Sequence, residues 1–443
     1  MVISQAEQSE QYDIIIVGAG VVGSLIGRLL AERAEFAKLR WAIIAPKQEQ
    51  PDRAAPEQRF DQARRVSAIN ESLDQHLAAL LPQYARLQRE PMRLMTVASE
   101  EFGGSFQLDA NRFDRRALAR VVYNTQLADT LNGALQANRI DAQVQQVSAD
   151  AHGYQLQADH KHYRTRLLVA ADGAQSKIVS QLLLSKQDLP LNLRALGAQI
   201  ELEFEPQAFT GSQSAYQWFG RDGSIFGLLP LQWYGDNRGL FSLVWSLPTI
   251  ASPTQAIRNT VGIGARFVEK GQDLQPARRL NQLFQGSALP IRAKQVSEQS
   301  VWPVRRHLLN WRQLKQHCGL FVVGDAAHSI HPLAGQGLNL GIKDALCWIE
   351  MLNDWIDQNG QLRQFSPAMH SAAAQFHRLV HSRAQAMLLS CEGLRAIAQP
   401  RRSGQFLLSL ALNQFHRHQI FQTKVVNSLS FEPFDQYLQD RFR

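Results

Sequence analysis

The chain has 443 residues, 45% hydrophobic and 19% charged, so it can bury a substantial core and is neither disordered nor of low complexity. A net charge of +8 favours anionic partners such as membrane phospholipid, nucleic acid or nucleotide phosphates, without choosing among them. Cys318, Cys347 and Cys391 have no CxxC spacing, which argues against a disulfide framework or a zinc site and fits a reducing cytosol. Residues 1–11 are polar and lack the basic start and apolar stretch of a secretory signal. No run reaches the roughly 18 apolar residues needed to span hydrocarbon, so any membrane association is expected to be peripheral.

In chain order, residues 12–18 (YDIIIVG) are a near-continuous β-branched run, the pattern of a strand buried on both faces of a parallel sheet. Residues 21–33 have helical apolar spacing and residues 41–45 form a second buried strand, which completes a βαβ unit. Residues 47–59 are rich in Pro, Gln and charge and read as an exposed loop, followed by a helix-compatible stretch over 67–81. The spacing predicts a further helix over 111–135 and a short strand over 167–171 that ends at Asp172-Gly173. Between residues 192 and 299 the period shifts toward two, as in 224–231 and 239–245, which predicts a largely antiparallel sheet in a second domain. The apolar strand 320–324 then resumes the first domain, and helices dominate the remainder.

Gly18-Ala19-Gly20-Val21-Val22-Gly23 is a GxGxxG placed directly between strand and helix, the context that makes it informative. Gly18 permits the tight turn, Gly20 lets backbone approach a pyrophosphate, and Gly23 allows close packing, while the helix N-terminus offers N–H groups to the anion. The acidic residue that usually ends the second strand and binds the ribose is replaced by Ala45, with Glu49 a few residues later. Residues 320–344 are the most informative stretch. A strand delivers Gly324 and Asp325, whose carboxylate can accept from ribityl hydroxyls, and the loop through Pro332, Gly335 and Gly337 leads into a helix starting near Leu338 and Asn339. Backbone N–H groups there, aided by the helix dipole, can stabilise negative charge on a flat reduced ring that the glycines allow to lie close. His328 and His331 do not read as a metal pair, since no third ligand or second shell supports them. GxSxG, HExxH and P-loop patterns are missing from the sequence.

GAGVVG, the Ala171-Asp172-Gly173 turn and GDAAHSIHPLAGQGLNLG over 324–341 together resemble the class A flavoprotein aromatic hydroxylases. More narrowly, HPLAGQGLNLGIKD (331–344) and RRVSAIN (64–70) resemble ubiquinone-biosynthesis hydroxylases of the UbiH/UbiF/VisC type. The resemblance implies an α/β protein. Its Rossmann-like FAD-binding domain would be discontinuous and p-hydroxybenzoate-hydroxylase-like, over residues 1–80, 111–190 and 300–365. A mainly antiparallel β-sheet substrate domain would occupy 81–110 and 191–299, with a C-terminal helical region over 366–443. It further implies FAD as cofactor, NAD(P)H as electron donor, O2 as co-substrate and hydroxylation of the ring of a polyprenylated phenol through a flavin C4a-hydroperoxide. No nucleic acid is implied. Because the cofactor performs the chemistry, no catalytic side chain is expected.

By the same resemblance Arg65 approaches the flavin from the helix after the first crossover, and Asp172 lies where flavin and nicotinamide both pass. Two positions depart from the family pattern. The Asp-Gly motif ordinarily runs DGxxSxxR, but Val179 stands in the arginine's place, with Lys177 nearby; and the Val-Glu-Asn turn is Val122-Tyr123-Asn124. These departures, with Ala45, keep open a flavin-binding accessory protein with impaired turnover, alongside a monooxygenase or reductase of the same fold on another substrate. Trp218, Phe219, Phe226, Leu228, Pro230 and Trp245 read either as a substrate-facing wall or as packed core. Residues 370–443 carry nine Lys/Arg against four Asp/Glu, with apolar stretches such as 406–412. That suits an interfacial helix on anionic lipid, a contact with a ubiquinone-biosynthesis complex, or a solvated basic region. The expected location is cytoplasmic, with peripheral contact at the inner face of the membrane as the alternative.

Overall fold

A computed structural model describes residues 9–47, 65–100, 105–188, 193–205, 213–235, 237–248, 276–286, 291–297, 299–315, 317, 319–330 and 336–397. Its first sheet is built on the strand Glu10–Val17, whose Ile14, Ile15 and Ile16 are fully buried, as a strand covered on both faces requires. Trp41–Ala45 pairs with it in parallel on one side and Lys161–Ala170 on the other. Leu320–Val322 joins Lys161–Ala170 in parallel, so the segment after the long middle region returns to the first sheet. The sheet is completed by Arg139–Asp141 in parallel at one edge and by the antiparallel strands Val144–Asp150 and Gly153–Ala158. The helices Val21–Glu32 and Gly337–Asn353 pack against this sheet and each other, and the 31-residue helix Pro367–Ile397 joins the same core through Met369, Ala373, Phe376 and Val380.

The second large sheet comprises Leu94–Ser99, Ser105–Asp109, Leu193–Phe204, Ser214–Phe219, Ile225–Gly235, Arg238–Pro248, Ile291–Val296 and Ser300–Pro303. It is antiparallel except where Ser214–Phe219 runs parallel to Leu94–Ser99. Ser300–Pro303 pairs with Leu193–Phe204, so this sheet extends past residue 299. One face lies under the helix Pro276–Gly286, where Leu280, Leu283 and Phe284 are buried against it. The opposite face meets a small three-stranded sheet of Val66–Asn70, Ala119–Tyr123 and Glu90–Met92.

That small sheet overturns two expectations. Residues 67–81 are not helical throughout: Val66–Asn70 is a strand, and the helix begins at Glu71 and ends at Leu80. Residues 111–135 are not one helix either, but a 3-10 turn, the strand Ala119–Tyr123 and the helix Asn124–Asn132. The reason is the same in both. Val66 and Ile69 in one strand and Val121 and Val122 in the other are β-branched, and the two strands pair antiparallel, Val66 opposite Tyr123 and Ile69 opposite Arg120, so tertiary pairing overrides a helical period averaged over a longer window.

Candidate cofactor site

Three segments far apart in the chain converge at the ends of the parallel strands. Gly18 has φ +106°, and a Cβ there would lie 2.9 Å from Cα of Asp172, so the glycine turn rests directly on the Asp172-Gly173 turn. A Cβ on Gly23 would collide with the Gly18 carbonyl oxygen, so helix and turn touch at that point. Gly20 faces open space, with nothing within 4 Å of its Cβ direction. The helix it begins has no side-chain cap and no acidic residue in its first turn, which leaves N–H groups and the positive dipole end for an anion. The half-buried Val22 packs away from that opening: Cβ atoms on Gly324 and Gly341 would come within 3.1 and 2.7 Å of its Cγ2. Small residues thus bring the first helix against the third segment.

Asp344 fixes the turn that presents Asp325. Its Oδ2 accepts from the Gly324 backbone N–H at 3.0 Å and from His328 Nε2 at 2.7 Å, all deep in the core. Burial opposes a charge on the imidazole, but the adjoining Asp344 carboxylate outweighs it and holds His328 above its usual range. His328 is therefore committed to a carboxylate on the following helix. Asp325 has protein around it on most sides yet stays accessible, as a group lining a recess does. Its surroundings push its carboxyl upward, partly offset by His328 and by Arg65.

Arg65 does not come from a helix, as expected, but from the residue just before the strand Val66–Asn70. Its guanidinium lies 5.0 Å from the Trp302 ring centroid and its carbonyl accepts from Asn124 N–H at 3.0 Å. The strand that follows is locked to the helix Gly337–Asn353. Asn70 N–H donates to Asn339 Oδ1 at 3.0 Å, Asn339 Nδ2 donates to the Ala68 carbonyl at 2.8 Å, and Asn70 and Gln336 exchange amide bonds at 3.2 and 3.3 Å. All three amide side chains are buried. Gln336 precedes a helix whose first turn has no side-chain cap and no acidic residue, and Gly337 and Leu338 are half-buried there. Pro332 and Gly335, with His331, lie outside the described residues, as do residues 48–64 and the apolar stretch 406–412.

Two of the departures, Ala45 and Val179, have a structural account. Ala45 is packed in the core, and its register partner on the neighbouring strand is Asp141, paired with Arg139 at 2.6 Å. Glu49 lies outside the described residues. Val179 is 1% exposed and belongs to the core of the first sheet, so an arginine there would have no route to solvent without rearrangement. Ser176 Oγ accepts from Val179 N–H, and Asp172 Oδ2 accepts from Lys177 N–H at 2.8 Å, so both motif residues cap the short helix Lys177–Gln181. Asp172 Oδ1 is buried with no partner. The cation at this turn comes from elsewhere: with the Gln175 amide turned toward it, its oxygen accepts from both terminal nitrogens of Arg305, at 3.2 and 2.9 Å. Nothing local in the sequence marks Arg305, which lies 130 residues downstream of Gln175.

Trp218, Phe226 and Leu228 sit on the face of the large sheet that packs under Pro276–Gly286. Trp218 stands 5.3 Å from Phe284, and Phe226 stacks on Trp245 at 4.7 Å. Trp218 is 1% exposed, and Phe226 and Leu228 are fully buried. Pro230, also buried, continues the same alternation opposite Phe241. The packing therefore assigns this set to the core, on the side of the sheet facing away from Arg65 and Trp302; the substrate-wall alternative required the other face.

Residues 132–375 match the family described as FAD binding domain. The chain is 28% identical to the ubiquinone biosynthesis monooxygenase COQ6, mitochondrial, of Drosophila melanogaster, over 79% of this chain and 76% of that one. It is also 28% identical to the 3-demethoxyubiquinol 3-hydroxylase of Escherichia coli (strain K12), over 77% of this chain and 79% of that one. The p-nitrophenol 4-monooxygenase PnpA of Pseudomonas putida DLL-E4 superposes with a TM-score of 0.66 at 14% identity, over 95% of this chain and 98% of that one, which places the two in one fold.

Proposed function

Because the chain belongs to the FAD binding domain family, we propose that it is an FAD-dependent monooxygenase that hydroxylates the aromatic ring of a polyprenylated phenol in ubiquinone biosynthesis, with NAD(P)H as reductant and O2 as co-substrate. The observation that carries this reading is the locking of the Ala68–Asn70 strand onto the start of the helix Gly337–Asn353, its backbone to Asn339 and the Asn70 amide to Gln336, which brings Arg65 within electrostatic reach of Asp325. The flavin, when bound, supplies hydride acceptance and activation of O2. The chain's own residues bind and orient it. Gly20 leaves room for the pyrophosphate, Asp325 accepts from ribityl hydroxyls, and the N–H groups of the first turn after Gln336 stabilise negative charge on the ring. Arg65, held against Trp302, would supply a positive charge to the bound cofactor. Two relatives named for ubiquinone-pathway hydroxylation support the substrate class. Among the described residues no helix is long and apolar enough to cross a membrane. We place the protein at the inner face of the membrane through contact of its net positive charge with anionic lipid, where a hydrophobic substrate is met.

The test is to purify the protein, record its flavin spectrum, and follow NADH and NADPH oxidation with and without a short-chain polyprenylphenol. The expected result is bound FAD and oxidation that the phenol accelerates, coupled to hydroxylated product. A protein that neither holds nor takes up FAD would refute the reading, and FAD without oxidation under any substrate would move it to the accessory role.

A further inference from the structure

The short helix Lys177–Gln181 ends in a Schellman closure: Leu183 N–H donates to the Ser180 carbonyl at 3.2 Å, and Leu184 N–H reaches back to the Val179 carbonyl at 3.0 Å. The closure sets Leu183 in the left-handed region, at φ +56°. Glycine ordinarily holds this position, because a side chain there crowds the following carbonyl. Leu183 does not recover that cost by packing. It is 86% exposed, while Leu182 and Leu184 on either side of it join the core of the first sheet. An exposed leucine alone is ordinary, but one held on a strained backbone calls for an explanation outside the fold.

Its surroundings give that explanation a direction. Ser185, two residues on, is fastened to the helix Trp311–Leu314 and its cap: Ser185 N–H and Oγ donate to Gln313 Oε1 at 2.7 and 3.0 Å, and the Ser185 carbonyl accepts from Asn310 N–H at 3.0 Å. Trp311 is half-buried there, with Lys315 Nζ 5.0 Å from its ring centroid. Arg312 and Lys315 are exposed, as is Lys177 at the start of the short helix. The acids within residues 172–188 and 310–315 are Asp172, whose Oδ2 caps that helix, and Asp188. An apolar tip and an amphipathic indole among cationic side chains match the boundary between acyl chains and anionic headgroups.

We propose that Leu183 is the apolar anchor by which this protein docks on an anionic phospholipid bilayer, with Trp311 at the level of the headgroups and Lys177, Arg312 and Lys315 on the lipid phosphates. This rests on the placement of the protein at a membrane and names the surface that makes the contact. Because Asp172 caps the helix that ends at this turn, the docked surface lies one short helix away from the Asp172-Gly173 turn of the candidate cofactor site.

The FAD-loaded full chain is sedimented with vesicles of phosphatidylethanolamine and phosphatidylglycerol, and with vesicles of phosphatidylcholine alone. The wild type is expected to bind the first and not the second, and to be released by salt. Leu183→Gly relieves the strained φ, so Tm holds or rises, yet binding to the anionic vesicles falls by about tenfold, the contribution of one leucine removed from water. Leu183→Asn, whose short polar side chain also tolerates a left-handed φ, behaves in the same way. Arg312→Gln combined with Lys315→Gln weakens binding by about tenfold or more and flattens its salt dependence. Leu183 variants that bind anionic vesicles as tightly as the wild type overturn the proposal and leave the membrane placement to another surface. A wild type that sediments with neither vesicle overturns both and leaves the monooxygenase reading standing. Loss of Tm in both Leu183 variants shows the leucine to serve the fold, and a dimer that depends on Leu183, with vesicle binding unchanged, assigns the surface to a second copy; either result also overturns the proposal.

Discussion

The glycine turn separates two roles that a motif alone merges. At Gly23 a methyl group would meet the Gly18 carbonyl, whereas at Gly20 it would meet nothing. Gly23→Ala is therefore expected to cost about 1–3 kcal/mol by overpacking, and to lower Tm with or without cofactor. Gly20→Ala leaves the Tm of the apoprotein within about a degree of wild type, because its Cβ enters open space, but lowers FAD affinity by tenfold or more where that space must take the pyrophosphate. Differential scanning fluorimetry of the apoproteins with fluorescence titration of FAD distinguishes the two. Equal Tm losses in both variants would show that the opening at Gly20 serves the fold and not the ligand.

At the scale of elements, the long helix Pro367–Ile397 is attached beneath the parallel sheet by histidines. His377 Nε2 donates to the Leu320 carbonyl at 3.0 Å and its ring stacks on Phe321 at 5.5 Å. Burial pushes His377 down to about 4, so the folded protein keeps the ring neutral where the unfolded chain would protonate it. A depressed pKa gives stability that is complete above the unfolded value near 6.5 and lost as pH falls from there toward 4. Over that window the loss amounts to about 3 kcal/mol from this residue. His377→Gln is expected to be less stable than wild type at pH 7, for want of the stacking, yet to lose less on acidification. Urea unfolding at pH 7.0 and 5.0 reads this directly; equal acid losses in the two proteins would assign the sensitivity to other groups.

Elements also show what the sequence conveyed and what it withheld. The βαβ start, the return at Leu320–Val322 and the antiparallel middle were legible because each is an unbroken apolar or alternating run whose pattern survives without its partners. The strands Val66–Asn70 and Ala119–Tyr123 were not, because they mix polar with apolar residues, run directly into helices and exist as a pair separated by some fifty residues. The same holds at the site. The glycines and Asp325 announce themselves by spacing, but Arg305 meets Gln175 only after the chain between them has folded. Aromatic Trp218 and Phe226 attracted a substrate role by residue type, and only the alternation of the observed strands shows which face they take.

For the molecule as a whole, the candidate cofactor site lies where separately specified parts abut. The first sheet supplies the glycine turn and Asp325, the small sheet supplies Arg65, and Ala68, Val121 and Met92 of that small sheet share a buried cluster with Ala215, Leu231 and Leu240 of the large one. A ligand that engages segments around residues 18–23, 65 and 324–344 binds only when all are assembled, so its binding energy is added to the folding of the entire chain. At a free FAD concentration of about 100 times Kd, the expected gain in unfolding free energy is about 2.7 kcal/mol. Urea unfolding followed by tryptophan fluorescence and by flavin release is expected to give coincident transitions, both moving to higher urea as FAD is raised. The Gly20→Ala protein shows the wild-type apo midpoint and, with FAD bound at least ten times more weakly, a gain of about 1.4 kcal/mol or less at the same FAD concentration. Should flavin leave well before the tryptophan transition, with that transition unmoved by FAD, the cofactor would be held by one segment alone, and the convergence of the three would contribute nothing to its binding.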